Sequence, residues 1–151
     1  MPNRGRLRAE DYVNAALELA ARNGMENVTL RDIGDHLGVD ATAVYRHFQS
    51  KDDLLVRLID HELADVLARH LDSDSAPREI ILSVLNEFRR IALGIPTIAA
   101  ALSSAMQPPA GALGLTDLVV QQLQRMGLSG RELVLHYQAL ESFVGGACRV
   151  D

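Results

Sequence analysis

Apolar residues recur every three or four positions along most of the chain, which is the spacing of one face of an α-helix. No stretch alternates strongly between apolar and polar residues, so the pattern predicts an all-α fold without a sheet. The predicted helices cover residues 9–22, 30–37, 41–47, 51–71, 77–94, 95–106 and 115–126, with a last helix from about 130. Glycine, proline or short polar runs separate them, as at Gly24, Gly38 and the segment 107–111.

The segment from Thr29 to Lys51 carries the clearest local signals. Thr29 and Asp32 form a capping-box pattern that opens a short helix, and Gly38 ends that helix. Asp40 then caps a second short helix after a tight turn. Two short helices joined by a turn containing glycine are typical of a helix-turn-helix, whose second helix reaches base edges with its N-terminal residues.

The second short helix carries polar side chains that suit contact with DNA. Thr42, Tyr45 and Arg46 stand at i, i+3 and i+4 on one stripe, and His47 follows them. Lys51 begins the next helix, where a cation is unfavourable for the helix dipole, so an external anion such as a DNA phosphate is expected there. The alternative is a plain helical bundle in which Tyr45 or His47 is simply buried.

The start of the long fourth helix is the predicted domain boundary. We expect residues 1–50 to form a helix-turn-helix DNA-binding domain and residues 51–151 to form a helical ligand-binding and dimerisation domain. A length of 151 residues permits this division into two small domains. Because the fourth helix joins the two parts, its tilt is expected to set where the helix 41–47 points.

The net charge of −5 is unusual for a DNA-binding protein, but its distribution is uneven. Residues 1–51 hold seven basic and seven acidic side chains, whereas residues 52–151 hold eight basic and thirteen acidic ones. A basic face can therefore attract phosphates while the rest of the chain repels them. Arg4, Arg6 and Arg8 precede the first helix, either as an arm that contacts DNA or as a solvated tail.

Several functional classes are not expected from the sequence. His61-Glu62-Leu63-Ala64-Asp65 lacks the second histidine of a zinc-protease helix, and Cys148 has no neighbouring histidine, so we predict no enzyme, no catalytic residue, no metal site and no cofactor. No apolar run resembles a signal peptide or reaches membrane-spanning length. We therefore expect a cytoplasmic protein with no membrane partner.

The first third of the chain resembles the DNA-binding domain of the TetR family of transcriptional regulators. The resemblance covers Ala9 to Leu55 and rests on "LGV" at 37–39, "YRHF" at 45–48 and "SKDDLL" at 50–55. It implies that Thr29 and Arg31 start the positioning helix near the DNA backbone or the edge of the groove. It also implies a recognition surface made of Ala41, Thr42, Tyr45, Arg46 and His47, with Lys51 on a phosphate. Arg31 and Arg46 are the candidates for base contacts, because arginine can bind guanine O6 and N7 together. For Arg46 a phosphate contact or a surface ion pair is the alternative.

The resemblance also implies a ligand-responsive regulator, usually a repressor, that binds a palindromic double-stranded operator as a homodimer. The family usually holds its small-molecule effector between the middle helices. The candidate pocket residues here are Phe88, Leu102, Met106, Gln122, Met126, His136 and Tyr137. Apolar walls with a few polar groups are typical of a ligand pocket, but they equally describe ordinary packing within a bundle.

The C-terminal end departs from the family pattern. The chain ends at Asp151, which leaves little room for the further helix that usually completes the dimer interface, and family members are commonly longer. We therefore expect either an incomplete C-terminal domain or a different mode of dimerisation. The alternative function is a helical ligand-binding or interaction module in which DNA binding is lost or weakened.

Overall fold

The computed structural model describes residues 7–94 and 108–147. Over these two ranges the chain forms seven α-helices, one 3₁₀ turn at Met25–Asn27 and no strand, so the predicted all-α class is confirmed. The helices are α1 Ala9–Asn23, α2 Leu30–Leu37, α3 Ala41–Tyr45, α4 Lys51–His70, α5 Pro77–Gly94, α6 Ala110–Arg125 and α7 Gly130–Ala147. The helix predicted at 95–106, with Leu102 and Met106, lies outside the described residues, as do Arg4, Arg6 and Cys148.

The chain divides into two compact units, one ending at Leu58 and the other beginning at Ile59. Helix α4 belongs to both, because its first eight residues lie in the first unit and the remainder in the second. The functional division at residue 51 stays a prediction.

The first unit packs around Phe48, which is fully buried just after α3. The Tyr12 ring of α1 meets it edge-on, with ring centroids 6.0 Å apart, and the Arg57 guanidinium lies 5.5 Å from its centroid on another side. Burial of a ring of this size dominates the stability of a small core. The other large side chains that are almost fully buried in this unit are Val28, Ile33, Val44, Leu54 and Leu58.

The second unit is built from the rest of α4 with α5, α6 and α7. Its buried side chains include Leu63, Val66, Ile80, Val84, Leu118 and Leu123. Glu87 of α5 ties down the end of α4, since its carboxylate accepts hydrogen bonds from Arg69 and from His70 Nε2, the latter at 3.1 Å. Near the start of α6, the amide of Gly111 donates to Asp60 Oδ1 at 2.6 Å.

Two predicted helix boundaries are wrong. Helix α6 begins at Ala110 rather than Leu115, because glycine at 111 allows the backbone of α6 to approach α4. A Cβ at that position would lie 2.7 Å from the Asp60 carbonyl oxygen and 2.8 Å from the Ala64 nitrogen. Helix α3 ends at Tyr45 rather than His47, since the His47 amide turns to the Val44 carbonyl, three residues back.

No helix in the described ranges is both long and apolar enough to cross a membrane.

Candidate nucleic-acid interface and ligand cavity

The position of α2 is fixed by the local contacts that the sequence predicts. Thr29 Oγ1 accepts from the Asp32 amide at 3.2 Å, and the Asp32 carboxylate accepts from the Thr29 amide at 2.9 Å, which completes the capping box. Gly38 ends the helix at φ 67°, in the left-handed region where a side chain is costly. The chain is therefore free to turn sharply into α3.

Helix α3 presents one edge to solvent and buries the other. Asp40 caps it, accepting from the Thr42 amide at 2.7 Å. Val44 is fully buried and Ala41 is partly buried, whereas Thr42 and Arg46 are exposed and Tyr45 is 57% exposed. The alternative in which Tyr45 is a core residue is therefore excluded. An exposed Thr–Tyr–Arg edge on the second helix of a helix-turn-helix is the geometry that major-groove contact requires.

His47 is partly buried rather than part of the open edge. Its ring centroid lies 4.8 Å from that of Tyr12 and 6.3 Å from that of Phe48. The structure thus shows a packing role for His47, and a contact of this side chain with DNA stays a prediction.

Lys51 lies where the sequence predicts, at the first residue of α4, but its ammonium is already hydrogen-bonded. Nζ donates to the Glu26 carbonyl oxygen of the 3₁₀ turn at 2.8 Å. An ammonium has three donors, so two remain for a phosphate. No local pattern predicts this contact, because Glu26 lies 25 residues away along the chain.

Fixed negative charges flank the exposed basic side chains. Hydrogen bonds from Thr29 lower the pKa of Asp32 below its ordinary 3.8, and hydrogen bonds from Thr42 do the same for Asp40. Both carboxylates are therefore ionised at neutral pH and stay committed to capping. Arg31, exposed on α2, and Arg46, exposed directly after α3, supply positive charge toward a polyanion at neutral pH.

The second unit contains a cavity of about 300 Å³. Two of the predicted pocket residues, Phe88 and Tyr137, line it. The other described residues that line it are Leu63, Val84, Leu85, Ala112, Leu115, Thr116, Val119, Leu140, Glu141, Val144 and Gly145. Its volume lies at the lower end of the range for small-molecule sites, which is roughly 300–1,000 Å³.

The remaining described pocket candidates lie elsewhere. Gln122 is buried and its Oε1 accepts from Arg125 at 2.7 Å, so its amide oxygen is already hydrogen-bonded. Met126 and His136 line a separate depression beside Phe143. Leu102 and Met106 lie outside the described residues. The structure therefore brings Phe88 and Tyr137 together and separates Gln122, Met126 and His136 from them.

Comparison with known families shows what the first unit resembles. The sequence profile of the bacterial regulatory proteins of the tetR family matches residues 13–58, from within α1 to the first turns of α4. The match covers less than half of the chain and lies within the first unit.

Curated transcriptional regulators match over nearly the whole chain. An HTH-type transcriptional regulator from Saccharopolyspora erythraea is 29% identical over 147 residues, which cover 96% of this chain and 61% of the relative. An HTH-type transcriptional repressor from Mycobacterium tuberculosis is 28% identical over 153 residues, covering 98% of this chain and 59% of the relative. The chain therefore spans about three-fifths of the length of these curated relatives.

A solved TetR structure extends the likeness beyond the first unit. A variant of TetR from Acinetobacter baumannii, crystallised with minocycline, superposes with a TM-score of 0.70 at 26% identity. The superposition covers 94% of this chain and 75% of that one. The family is one of regulators rather than enzymes.

Two polar residues that line the cavity, Thr116 and Glu141, are not among those predicted from the sequence. Glu141 lies four residues after Tyr137 on α7, so the spacing alone would have placed it on the same helical face. Thr116 on α6 had no such signal, because its contact with Tyr137 joins residues 21 positions apart.

Proposed function

We propose that this protein is a sequence-specific DNA-binding transcriptional regulator. It acts as a dimer on a palindromic operator, and a small molecule bound in the second unit weakens that binding and relieves repression. The single observation that carries the proposal is the exposed edge of α3, where Thr42, Tyr45 and Arg46 face solvent while Val44 anchors the helix. Because its target is chromosomal DNA, the proposal implies a cytoplasmic protein.

The proposed DNA contacts follow from exposure and chemistry. Arg46 and Arg31 contact bases or adjacent phosphates through their guanidinium donors, and Thr42 and Tyr45 donate hydroxyl hydrogen bonds. Thr29, Ala41 and His47 shape the surface around them. Lys51 holds a phosphate at the start of α4, where the free amide groups of the helix also favour an anion.

A homodimer is supported by the outer face of α7. Leu135 and Phe143 are 51% and 72% exposed and share this face with Ala139 and Gly146, opposite the side chains that line the cavity. An apolar stripe along a helix is costly in water and is typical of a protein interface. A second copy of the chain, packed on this stripe with two-fold symmetry, would match the symmetry of a palindromic operator.

The DNA-binding proposal is tested by selecting bound sequences from a random duplex library and measuring their affinities by fluorescence anisotropy. We expect a palindromic site bound much more tightly than unrelated DNA at moderate salt. Equal affinity for all duplexes, from a verified dimer, would overturn the proposal.

Arg46→Ala tests whether Arg46 contacts a base or contributes only its positive charge. Losing a bidentate contact with a guanine costs about 1–3 kcal/mol of discrimination at one base pair, so the selected sequence should relax at that position. The matched control is Arg22→Ala, which removes the same charge from the exposed end of α1. Equal effects from the two changes would rule out base contact by Arg46.

Lys51→Ala tests the phosphate contact. The slope of log affinity against log salt should fall by about one unit, with the preferred sequence unchanged. Lys51→Arg should retain the slope. A lower affinity at every salt concentration with an unchanged slope would mean that Lys51 acts only through the Glu26 carbonyl.

Phe143→Glu tests the dimer by light scattering after size-exclusion chromatography. The change should produce monomers and remove cooperative operator binding. Leu113→Glu, a matched change at another exposed apolar side chain, should leave the oligomer intact. A wild-type protein that is monomeric at all concentrations would overturn this part of the proposal.

A further inference from the structure

A chain of three polar groups runs along one side of the cavity in the second unit. Thr116 Oγ1 lies 3.0 Å from the Tyr137 hydroxyl, and that hydroxyl donates to Glu141 Oε1 at 3.3 Å. Since the tyrosine proton is committed to the carboxylate, the threonine hydroxyl must be the donor in the first contact. The two hydrogen bonds are thus oriented toward Glu141, whose carboxylate is the final acceptor.

Glu141 is the only charged side chain among the described residues that line the cavity. No cation of the described residues lies within 4.0 Å of its carboxylate. Among the described residues, the lining therefore combines apolar walls with one negative charge.

Tyr137 donates a hydrogen bond to the Glu141 carboxylate and adds no negative charge of its own. Burial, followed by the nearby charge of Glu141 and the hydrogen bond between them, raises the pKa of the Tyr137 hydroxyl above 10.0. The hydroxyl thus stays a proton donor at physiological pH, where Glu141 is the acceptor. Its hydrogen bond holds the carboxylate against the cavity, while the exposed position of Glu141 keeps the charge hydrated before a ligand arrives.

A ligand that displaces that water must replace its hydrogen bonds and balance the charge. An ionised carboxylate only accepts hydrogen bonds, and a charge removed from water without a partner is costly. A protonated amine supplies both donors and charge, whereas an alcohol supplies only a neutral donor and a carboxylate ligand would be repelled. The apolar walls require that the rest of the molecule be hydrocarbon or aromatic.

We propose that the effector of this regulator is a small apolar molecule with one protonated amine, and that Glu141 is its counter-ion. The proposal rests on the proposed function, since it assigns the effector site to this cavity. The volume of about 300 Å³ limits the ligand to a compact body, such as one aromatic ring with a short alkyl arm.

Three probes of equal length test the ligand class: 4-phenylbutylamine, 4-phenylbutanol and 4-phenylbutanoate. Calorimetry with the full chain and no DNA should give about tenfold tighter binding of the amine than of the alcohol, because charge-assisted hydrogen bonds are roughly twice as strong as neutral ones. The carboxylate should bind most weakly. Equal affinities, tighter binding of the carboxylate, or no binding by any probe would overturn the proposal.

Glu141→Gln tests the residue itself. The variant keeps the size of the side chain, so amine affinity should fall to that of the alcohol while alcohol affinity stays unchanged. Glu132→Gln, on the same helix but outside the cavity lining, should keep the preference for the amine. A preference that persists in Glu141→Gln would exclude Glu141 as the counter-ion.

Tyr137→Phe provides a second variant that keeps the aromatic ring in place. Loss of its hydroxyl should reduce the preference for the amine about threefold without abolishing it, since the charge remains but its orientation is lost. The melting temperature of each variant confirms that it folds. If Tyr137→Phe prefers the amine over the alcohol as strongly as the parent does, the Tyr137 hydroxyl takes no part in amine binding.

Operator release is measured separately, so that the two proposals fail independently. If the amine binds through Glu141 but does not change DNA affinity, the ligand class holds and the regulatory function fails. If the operator binds and no probe enters the cavity, the function stands and this inference fails.

Discussion

The helices of the two units are held in place by different kinds of contact. In the first, each short helix begins and ends at residues whose own hydrogen bonds define the boundary, as Thr29, Gly38 and Asp40 do for α2 and α3. In the second, long helices meet through contacts between distant residues, such as Gly111 with Asp60 and Tyr137 with Thr116. The first unit is therefore built to present one fixed edge, and the second encloses a space whose shape depends on several helices.

The largest expected effect concerns the aromatic core of the first unit. Phe48→Ala removes a fully buried ring and should lower the free energy of unfolding by about 3–5 kcal/mol. Urea denaturation followed by far-UV circular dichroism should show an early transition assigned to this unit. Tyr45→Ala, at a side chain that is 57% exposed, should change stability by no more than about 0.5 kcal/mol. Equal effects of the two changes would show that the Phe48 ring does not hold the unit together.

The close approach of α6 to α4 is the matching test in the second unit. Gly111→Ala places a methyl group 2.7 Å from the Asp60 carbonyl oxygen, and the resulting displacement should cost about 1–3 kcal/mol. Gly94→Ala, at the end of α5, where no described residue lies within 4 Å of the added Cβ, should be neutral or slightly stabilising. Thermal unfolding of both variants measures the difference, and an equally stable Gly111→Ala protein would contradict the close contact.

A smaller effect is expected at the turn between α2 and α3. Gly38→Ala forces a side chain into the left-handed conformation at φ 67°, which costs about 1–2 kcal/mol although the surrounding space is open. Gly38→Asn should cost less, because asparagine tolerates this conformation. If both variants lose the same stability in urea titrations, the cost arises from something other than the backbone angle.

The smallest effect is a dependence of stability on acid. The Asp32 carboxyl has a lower pKa in the folded chain than its ordinary 3.8, so its contribution is present above that value and is lost as the pH falls through the folded pKa. Stability measured below pH 4 should therefore fall less steeply in Asp32→Asn than in the parent. Thr29→Val, which removes the first cause of the shift, should flatten the slope in the same direction. Parallel profiles for all three proteins would exclude the capping box as a source of acid sensitivity.

The difference between local contacts in the first unit and long-range contacts in the second explains which features could be predicted from the sequence. Thr29, Gly38 and Asp40 act on atoms within a few residues of themselves, so their roles were evident from spacing. The start of α6 at Ala110 could not be predicted from spacing. A glycine such as Gly111 indicates a helix break unless its close approach to α4 is known. The contacts of Phe48 with Tyr12 and of Thr116 with Tyr137 arise from packing between separate helices, which no local pattern encodes.

Lys51 illustrates how a single contact within the first unit prepares the protein for its proposed target. A free lysine side chain samples many rotamers, and freezing a side chain on binding costs about 0.5–1.5 kcal/mol. Here the Glu26 carbonyl already restrains that side chain while leaving two ammonium protons for a phosphate. Much of the entropic penalty is thus incurred during folding, so the proposed phosphate contact would begin from a side chain that is already restrained.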